Sequence, residues 1–313
     1  MIILVKKEID KSINELKDYS KKIYLKGKRI SIYTVFKIFK SKLIEDEIFE
    51  RSLAVAYSFT LATFPLIIFL FTLIPYINTW IPEIDSIKIL AFLEGAMPSD
   101  MYEITEATIA DLVETKRGGL LSLGVISSLF LSTNGFNTLI KTFNSCHRIE
   151  ENRGFIKTRT IALTLTIVFM LVLIISILLS TVGEIFINFI SENNLFEGIV
   201  AYYSLIISRL SILFITFYLG ITSIFYFAPV KHNKWTFFSS GSIMSALGCV
   251  CISLIFSYYI NTFATYNKFY GSIGILIAYM GWMYIISSIL LIGFEWNTSI
   301  DIAINKLKEK INN

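Results

Sequence analysis

Gly271-Ser-Ile-Gly-Ile-Leu-Ile-Ala-Tyr-Met-Gly-Trp-Met-Tyr-Ile-Ile-Ser-Ser-Ile-Leu-Leu-Ile-Gly-Phe294 is a run of 24 residues without a charge, preceded by Lys268 and followed at once by Glu295. As a helix it is roughly 36 Å long, enough for a bilayer core of about 30 Å with some tilt. Gly274, Ala278, Gly281 and Ser288 repeat at helical spacing, with Ile285 the one large member of that face. Small residues let a second helix approach closely where lipid offers no hydrophobic incentive to associate. The stretch reads as a membrane helix with a packing face and an acid at one end.

The rest of the chain repeats that pattern. Of 313 residues, 54% are hydrophobic and 17% charged, against about 25% charged in an average soluble domain. The apolar residues gather in blocks: 52–82, 118–140, 160–183, 198–230 (broken only by Arg209), 235–267 and 269–294. Each block is long enough to span. The reading is an all-α polytopic membrane protein with six transmembrane helices, at about 53–77, 119–140, 160–183, 201–228, 237–260 and 271–295. Residues 1–50 precede this domain (51–302), and 303–313 form a basic, solvated tail.

Charge sets the expected orientation. With six spans both termini share a side, and that side collects 23 of the 28 Lys and Arg; the opposite side has Lys88, Lys116, Arg117 and Lys268. Positive residues stay cytoplasmic, so both termini are expected inside a bacterial plasma membrane. The first fifty residues are dense in charge and lack an apolar core segment, so the first span is expected to be an uncleaved anchor. Cys146, Cys249 and Cys251 are an odd set, two of them inside an apolar run, and argue against a disulfide framework.

Before Arg51, two amphipathic helices are expected, separated near Gly27. The second carries Ile32, Val35, Phe36, Phe39 and Leu43 with Lys37, Lys40 and Lys42 around them. It fits a helix lying on the anionic inner leaflet, and equally one packed on the protein's own loops. The first span contains Pro65, which cannot donate to the carbonyl of Leu61 and is expected to kink the helix near mid-membrane. Kinks of this kind mark substrate sites in many transporters and are merely tolerated in others. The outer segment 83–117 carries eight acids. After Pro98 it has an amphipathic stretch, with Asp100 and Glu103 at capping-box spacing. It is expected to cap the outer mouth of the bundle.

The second span turns polar toward its inner end, with Ser132, Thr133, Asn134, Asn137 and Thr138. Buried amides and hydroxyls need partners, so this end is expected to face protein or water. The loop after it carries Arg148, Arg153, Lys157 and Arg159, as ordinary retention signals or as an anion site. The third span is expected to face lipid. The fourth holds Arg209, the one basic residue within an apolar run, roughly 12 Å below the outer end. Snorkelling, structural pairing and a substrate role all remain open for it. Glu295 lies about 36 Å along its own helix, so the two charges read as separate sites. In the fifth span Gly241, Ser245, Cys249, Ser253 and Ser257 form an unbroken i, i+4 row of small residues, a packing seam in which the cysteines are fillers.

The stretch Ser52-Leu-Ala-Val-Ala-Tyr-Ser-Phe-Thr-Leu-Ala-Thr-Phe-Pro65, then Arg153-Gly-Phe-Ile-Lys157, Pro229, Tyr270-Gly-Ser-Ile-Gly274, Trp282, Tyr284, Leu291, Gly293, Glu295 and Asn297 resemble the YihY/BrkB family of bacterial inner-membrane proteins. The resemblance covers roughly residues 51–302. Phe294 stands where alanine is expected before the glutamate, and Ser242 where alanine is usual. Some members once carried a ribonuclease BN label. His147 and His232 are the only histidines, and neither sits in a histidine–carboxylate motif, so no enzyme is expected. Other members are linked to transport of lipid-like envelope components.

Sequence and resemblance together point to a transporter or exporter of an anionic lipid-like or amphiphilic envelope component, needing no cofactor, metal or nucleic acid. Its expected partners are membrane lipids and that amphiphile. Arg209 would contact the anion, Pro65 would open a cavity, Asn134 and Asn137 would line it, and Glu295 would position an inner gate or anchor the helix end. With no GxxxxGK[ST] motif, the driving force would be a gradient or a partner. The alternative is a non-transporting scaffold for envelope machinery, organised through the basic N-terminal helices.

Overall fold

The computed structural model describes residues 31–77, 110, 118–147, 149–192, 198–230, 237–262 and 267–312. The first amphipathic segment and nearly all of the outer segment lie outside them. Every element there is an α-helix: α1 (Ile32–Glu45), α2 (Ile48–Ile77), α3 (Gly118–Cys146), α4 (Phe155–Glu192), α5 (Gly198–Phe227), α6 (Ser240–Thr262) and α7 (Asn267–Asn312). Among the described residues, four stretches are long and apolar enough to cross a membrane: Phe155–Ser176, Ile206–Phe227, Ser240–Tyr259 and Leu276–Glu309. Consecutive helices pack side by side from α2 with α3 through to α6 with α7. The long α7 also closes back on α1 and α2.

Several boundaries depart from the sequence reading. α4 does not end near Gly183 but runs on through Glu184 to Glu192. No proline interrupts it there, and an isolated glycine costs only about 1 kcal/mol in a helix. α7 likewise continues through the basic tail to Asn312. That tail is not wholly solvated, because Ala303 is buried and Ile304 and Leu307 pack against α1. α2 is one helix from Ile48 to Ile77, with Pro65 in its interior.

Burial among the described residues is concentrated at one end of the bundle. Phe143 of α3 stacks on Phe294 of α7 with centroids 4.0 Å apart, and Phe225 of α5 meets both edge-on. Ile48, Leu139, Ile140 and Leu291 complete this core. Away from it the helices present large apolar side chains outward, such as Leu171, Ile175, Ile207, Leu254 and Ile277. Contiguous apolar surface of this kind belongs in a lipid environment. The third span accordingly shows the outward-facing character expected of it.

α1 packs on α7, not as a free helix. Val35 and Phe39 are buried, Phe39 meets Trp296 edge-on at 5.3 Å, and Ile38, Ile300 and Leu307 complete the cluster. The lysines of α1 divide accordingly. Lys37 and Lys40 are exposed, whereas Lys42 is buried.

Candidate functional site

Lys42 is the centre of the buried end. It lies on the stripe Val35, Phe39, Lys42, Asp46, the i, i+4, i+7, i+11 face that α1 turns toward the bundle. Its ammonium has three protons to donate. Asp46 Oδ2 at 2.6 Å and the Cys146 carbonyl at 2.8 Å accept from it, and Glu295 Oε2 forms an ion pair with it at 2.8 Å. Glu295 is fully buried, next in the chain to the stacked Phe294. Burial alone would lower the affinity of Lys42 for its proton, but Glu295 and Asp46 outweigh it and hold the ammonium above its usual value of 10.5. The cluster joins α1, the end of α3 and α7 in one contact. Beside it stand His147, whose burial pushes its imidazole below the usual value, and buried Asp301. Glu295 was legible in the sequence as an acid ending an apolar run. Its partner was not, although the spacing of Lys42 with Val35 and Phe39 carried the signal.

A second polar cluster ties the loop between α3 and α4 to the end of α5. Arg153 binds Glu151 through Nε and Nη2, both at 2.7 Å, and its Nη2 also donates to the Ala228 carbonyl at 2.9 Å. Asn144 donates to Glu151 and accepts from the Val230 amide at 3.0 Å. The Arg153 contacts hold the Glu151 carboxyl below its usual value of 4.5.

The third cluster brings together residues that the sequence placed near a cavity. Arg159 of α4 donates from Nη1 to Asn134 Oδ1 at 2.8 Å and from Nη2 to the Phe130 carbonyl, with its guanidinium 3.7 Å above the Phe130 ring. Its Nε is buried without a hydrogen-bond partner. Arg159 is only four residues into α4, roughly 6 Å, whereas Asn134 lies about 18 Å before the end of α3. The last turns of α3 therefore project past the start of α4, and the amide meets the guanidinium near the level where α4 leaves the polar loop. Asn137 is half-buried on the same helix, and Thr138 donates to Ser58 of α2 at 2.9 Å. Ser132 and Thr133 are buried, so this polar end does face protein. Arg209 is exposed on α5, whereas Glu295 belongs to the buried Lys42 cluster. Of Pro65 only the backbone position in α2 is described.

The α6–α7 seam is built around glycine. A Cβ on Gly293 would overlap Ser245 Oγ, and one on Gly241 would overlap the Gly293 carbonyl. Asn297 accepts from the Gly241 amide at 2.9 Å and Ser245 donates to the Ile289 carbonyl at 3.0 Å. The small row on α6 thus packs as expected at Gly241, Ser245 and Cys249, while Ser257 is exposed. On α7 the contact face is Ile289, Gly293 and Asn297, not the expected row. Gly274, Ala278 and Gly281 instead line an open groove of ≈ 590 Å³ with Ile252, Phe256 and Trp282, and a Cβ on Gly281 would meet nothing.

With these contacts placed, sequence comparison assigns the lineage. The family model described as Virulence factor BrkB matches residues 39–312. The chain belongs to the BrkB virulence factor family. That match starts inside α1 and runs through α7, so it spans all three polar clusters. Ribonuclease-like protein YfkH of Bacillus subtilis (strain 168) is 30% identical to this BrkB-family chain over 252 residues, covering 79% of this chain and 88% of that protein. No solved structure matches. With its several apolar helices, this BrkB-family chain is a membrane protein.

Proposed function

We propose that this BrkB-family protein is a six-span, non-enzymatic transporter or exporter of an anionic lipid-like or amphiphilic envelope component. Both termini lie in the cytoplasm, and membrane lipids are its surroundings and partners. The observation that supports this reading best is the Arg159 seat. A guanidinium near the end of an apolar helix is held by an amide and an aromatic ring, with its Nε donor still unused. Such a group favours an anion, because a buried donor without an acceptor costs about 1–3 kcal/mol until one arrives. The apolar groove beside Trp282 suits the other half of an amphiphile. In this reading Asn134 orients Arg159 and Asn137 lines the approach, while Arg209, exposed on α5, meets headgroups at the bilayer surface. Pro65 does not break α2, which runs unbroken past it, so its part in opening a cavity would be a kink within the helix. Glu295 anchors α7 through Lys42.

The name of the B. subtilis relative is not carried over as an activity. Among the described residues no three His, Cys, Asp or Glu side chains are grouped to hold a metal ion. The scaffold reading draws support from the exposed Lys37 and Lys40 on α1. Removing residues 1–46 would not separate the two readings, because it also strips Glu295 of Lys42. The discriminating experiment is native mass spectrometry of protein purified in mild detergent. The transport reading expects a bound anionic amphiphile in wild type, lost in Arg159→Gln and kept in Lys157→Gln, a change at an exposed neighbour. A wild type without adducts, or adducts indifferent to Arg159, would leave the scaffold.

A further inference from the structure

A cleft of ≈ 570 Å³ lies between α1 and the far end of α7, walled by Thr34, Lys37, Ser41, His147, Ile302 and Lys306, with Lys42 at its floor. Its volume falls within the range of about 300–1,000 Å³ common for small-molecule sites. Lys37 and Lys306 come from different helices, are exposed, and among the described residues have no acidic partner. Lys42 adds no positive charge to the cleft, since its two carboxylate partners, Asp46 and Glu295, more than offset it. The one acid on the wall, Glu45, accepts from Ser41. Lys37 and Lys306 are point charges on flexible stems and outnumber the Glu45 carboxylate on the wall, which the Thr34 hydroxyl also lines. No arginine lines it; its donors are separate ammonium groups, which bind phosphate oxygens as point charges.

We infer that this cleft binds a phosphate-bearing anion, gripped from α1 by Lys37 and from α7 by Lys306. The ligand bridges the two helices that the buried Lys42–Glu295 pair already joins, and so tightens the α1–α7 contact. The chemistry is shared by a soluble phosphate ester and by the headgroup of an anionic phospholipid. The site involves neither Arg159 nor the apolar groove, so it stands or falls independently of the transport reading.

The test is the thermal unfolding midpoint of the full chain in mild detergent, titrated separately with glycerol phosphate and with phosphatidylglycerol in mixed micelles. Ligand that binds only the folded form raises the midpoint. Lys37→Gln and Lys306→Gln are each expected to weaken the apparent affinity about tenfold, the cost of one charge-assisted contact. Lys40→Gln, an exposed lysine of the same helix outside the cleft, is expected to leave it unchanged. A response to both probes assigns the site to the phosphate group in free form, and a response to phosphatidylglycerol alone assigns it to a lipid headgroup. No response to either probe, a response that survives the Lys37→Gln/Lys306→Gln pair, or an equal loss in Lys40→Gln overturns the inference. The single variants carry the result if the pair does not fold.

Discussion

Lys42 and Glu295 face each other with Glu295 fully buried and Lys42 nearly so, and the energetics of that contact are lopsided. Desolvating both ions offsets much of their attraction, so the pair adds little net stability over an apolar replacement. Removing one partner strands the other and costs about 3–5 kcal/mol. Lys42→Met is therefore expected to lower the unfolding midpoint in detergent sharply, and Lys42→Met/Glu295→Met to recover part of the loss, with Asp46 still lacking its ammonium partner. A double variant as unstable as the sum of the two single ones would show that the residues do not act as a pair. Glu151 makes a prediction in pH. Arg153 holds its folded carboxyl below 4.5, so the stabilisation is complete above that value and is lost as pH falls through the lower folded value. The midpoint gap between wild type and Glu151→Gln should be constant above about pH 4.5 and close in acid; a gap that widens in acid would reverse the sign of the shift. Lys42 also shows where the sequence falls short. Counted by type, it belongs with Lys37 and Lys40 as a lysine for headgroups. Only its place on the apolar stripe marks it as buried, and its partner is some 250 residues away in the chain, beyond the reach of periodicity.

At the scale of elements, helix–helix seams depend on where small residues fall opposite each other. Periodicity finds a row of small residues on one helix but not the helix it meets. The α6 row was legible because its small residues repeat every fourth position without interruption. On α7 the visible row turned out to line a groove, and the true contact, Gly293, is a single glycine among large residues. Its importance comes from Gly241 and Ser245 across the seam. Gly293→Ala is expected to destabilise the protein by about 1–3 kcal/mol, because backbone and a short hydroxyl must move to admit the methyl group. Gly281→Ala, facing open space, is expected to be neutral or to gain up to about 1 kcal/mol in helix propensity. Equal effects at the two sites, read as unfolding midpoints, would contradict this seam.

For the whole molecule, the sequence made the class plain, because charge-free blocks of spanning length have few alternatives to membrane helices. It could not show that the polar ends of α1, α3 and α7 assemble into one packed base, since that depends on contacts between distant segments. The number of crossings is the remaining whole-molecule question. α4, α5, α6 and α7 each contain a stretch long and apolar enough to cross. α2 and α3 decide between four crossings and six, and because both counts are even, the termini share a side either way. The segment between α2 and α3 separates the alternatives: it is outside if both helices cross and inside if neither does. With Cys146, Cys249 and Cys251 replaced, a single cysteine at Lys116 is expected to react with a membrane-impermeant maleimide on intact cells. One at Lys268 should react likewise, and one at Lys308 only after the membrane is opened. Protection at Lys116 with reaction at Lys268 would reduce the bundle to four crossings, and labelling of Lys308 on intact cells would overturn the orientation that the distribution of lysine and arginine implies.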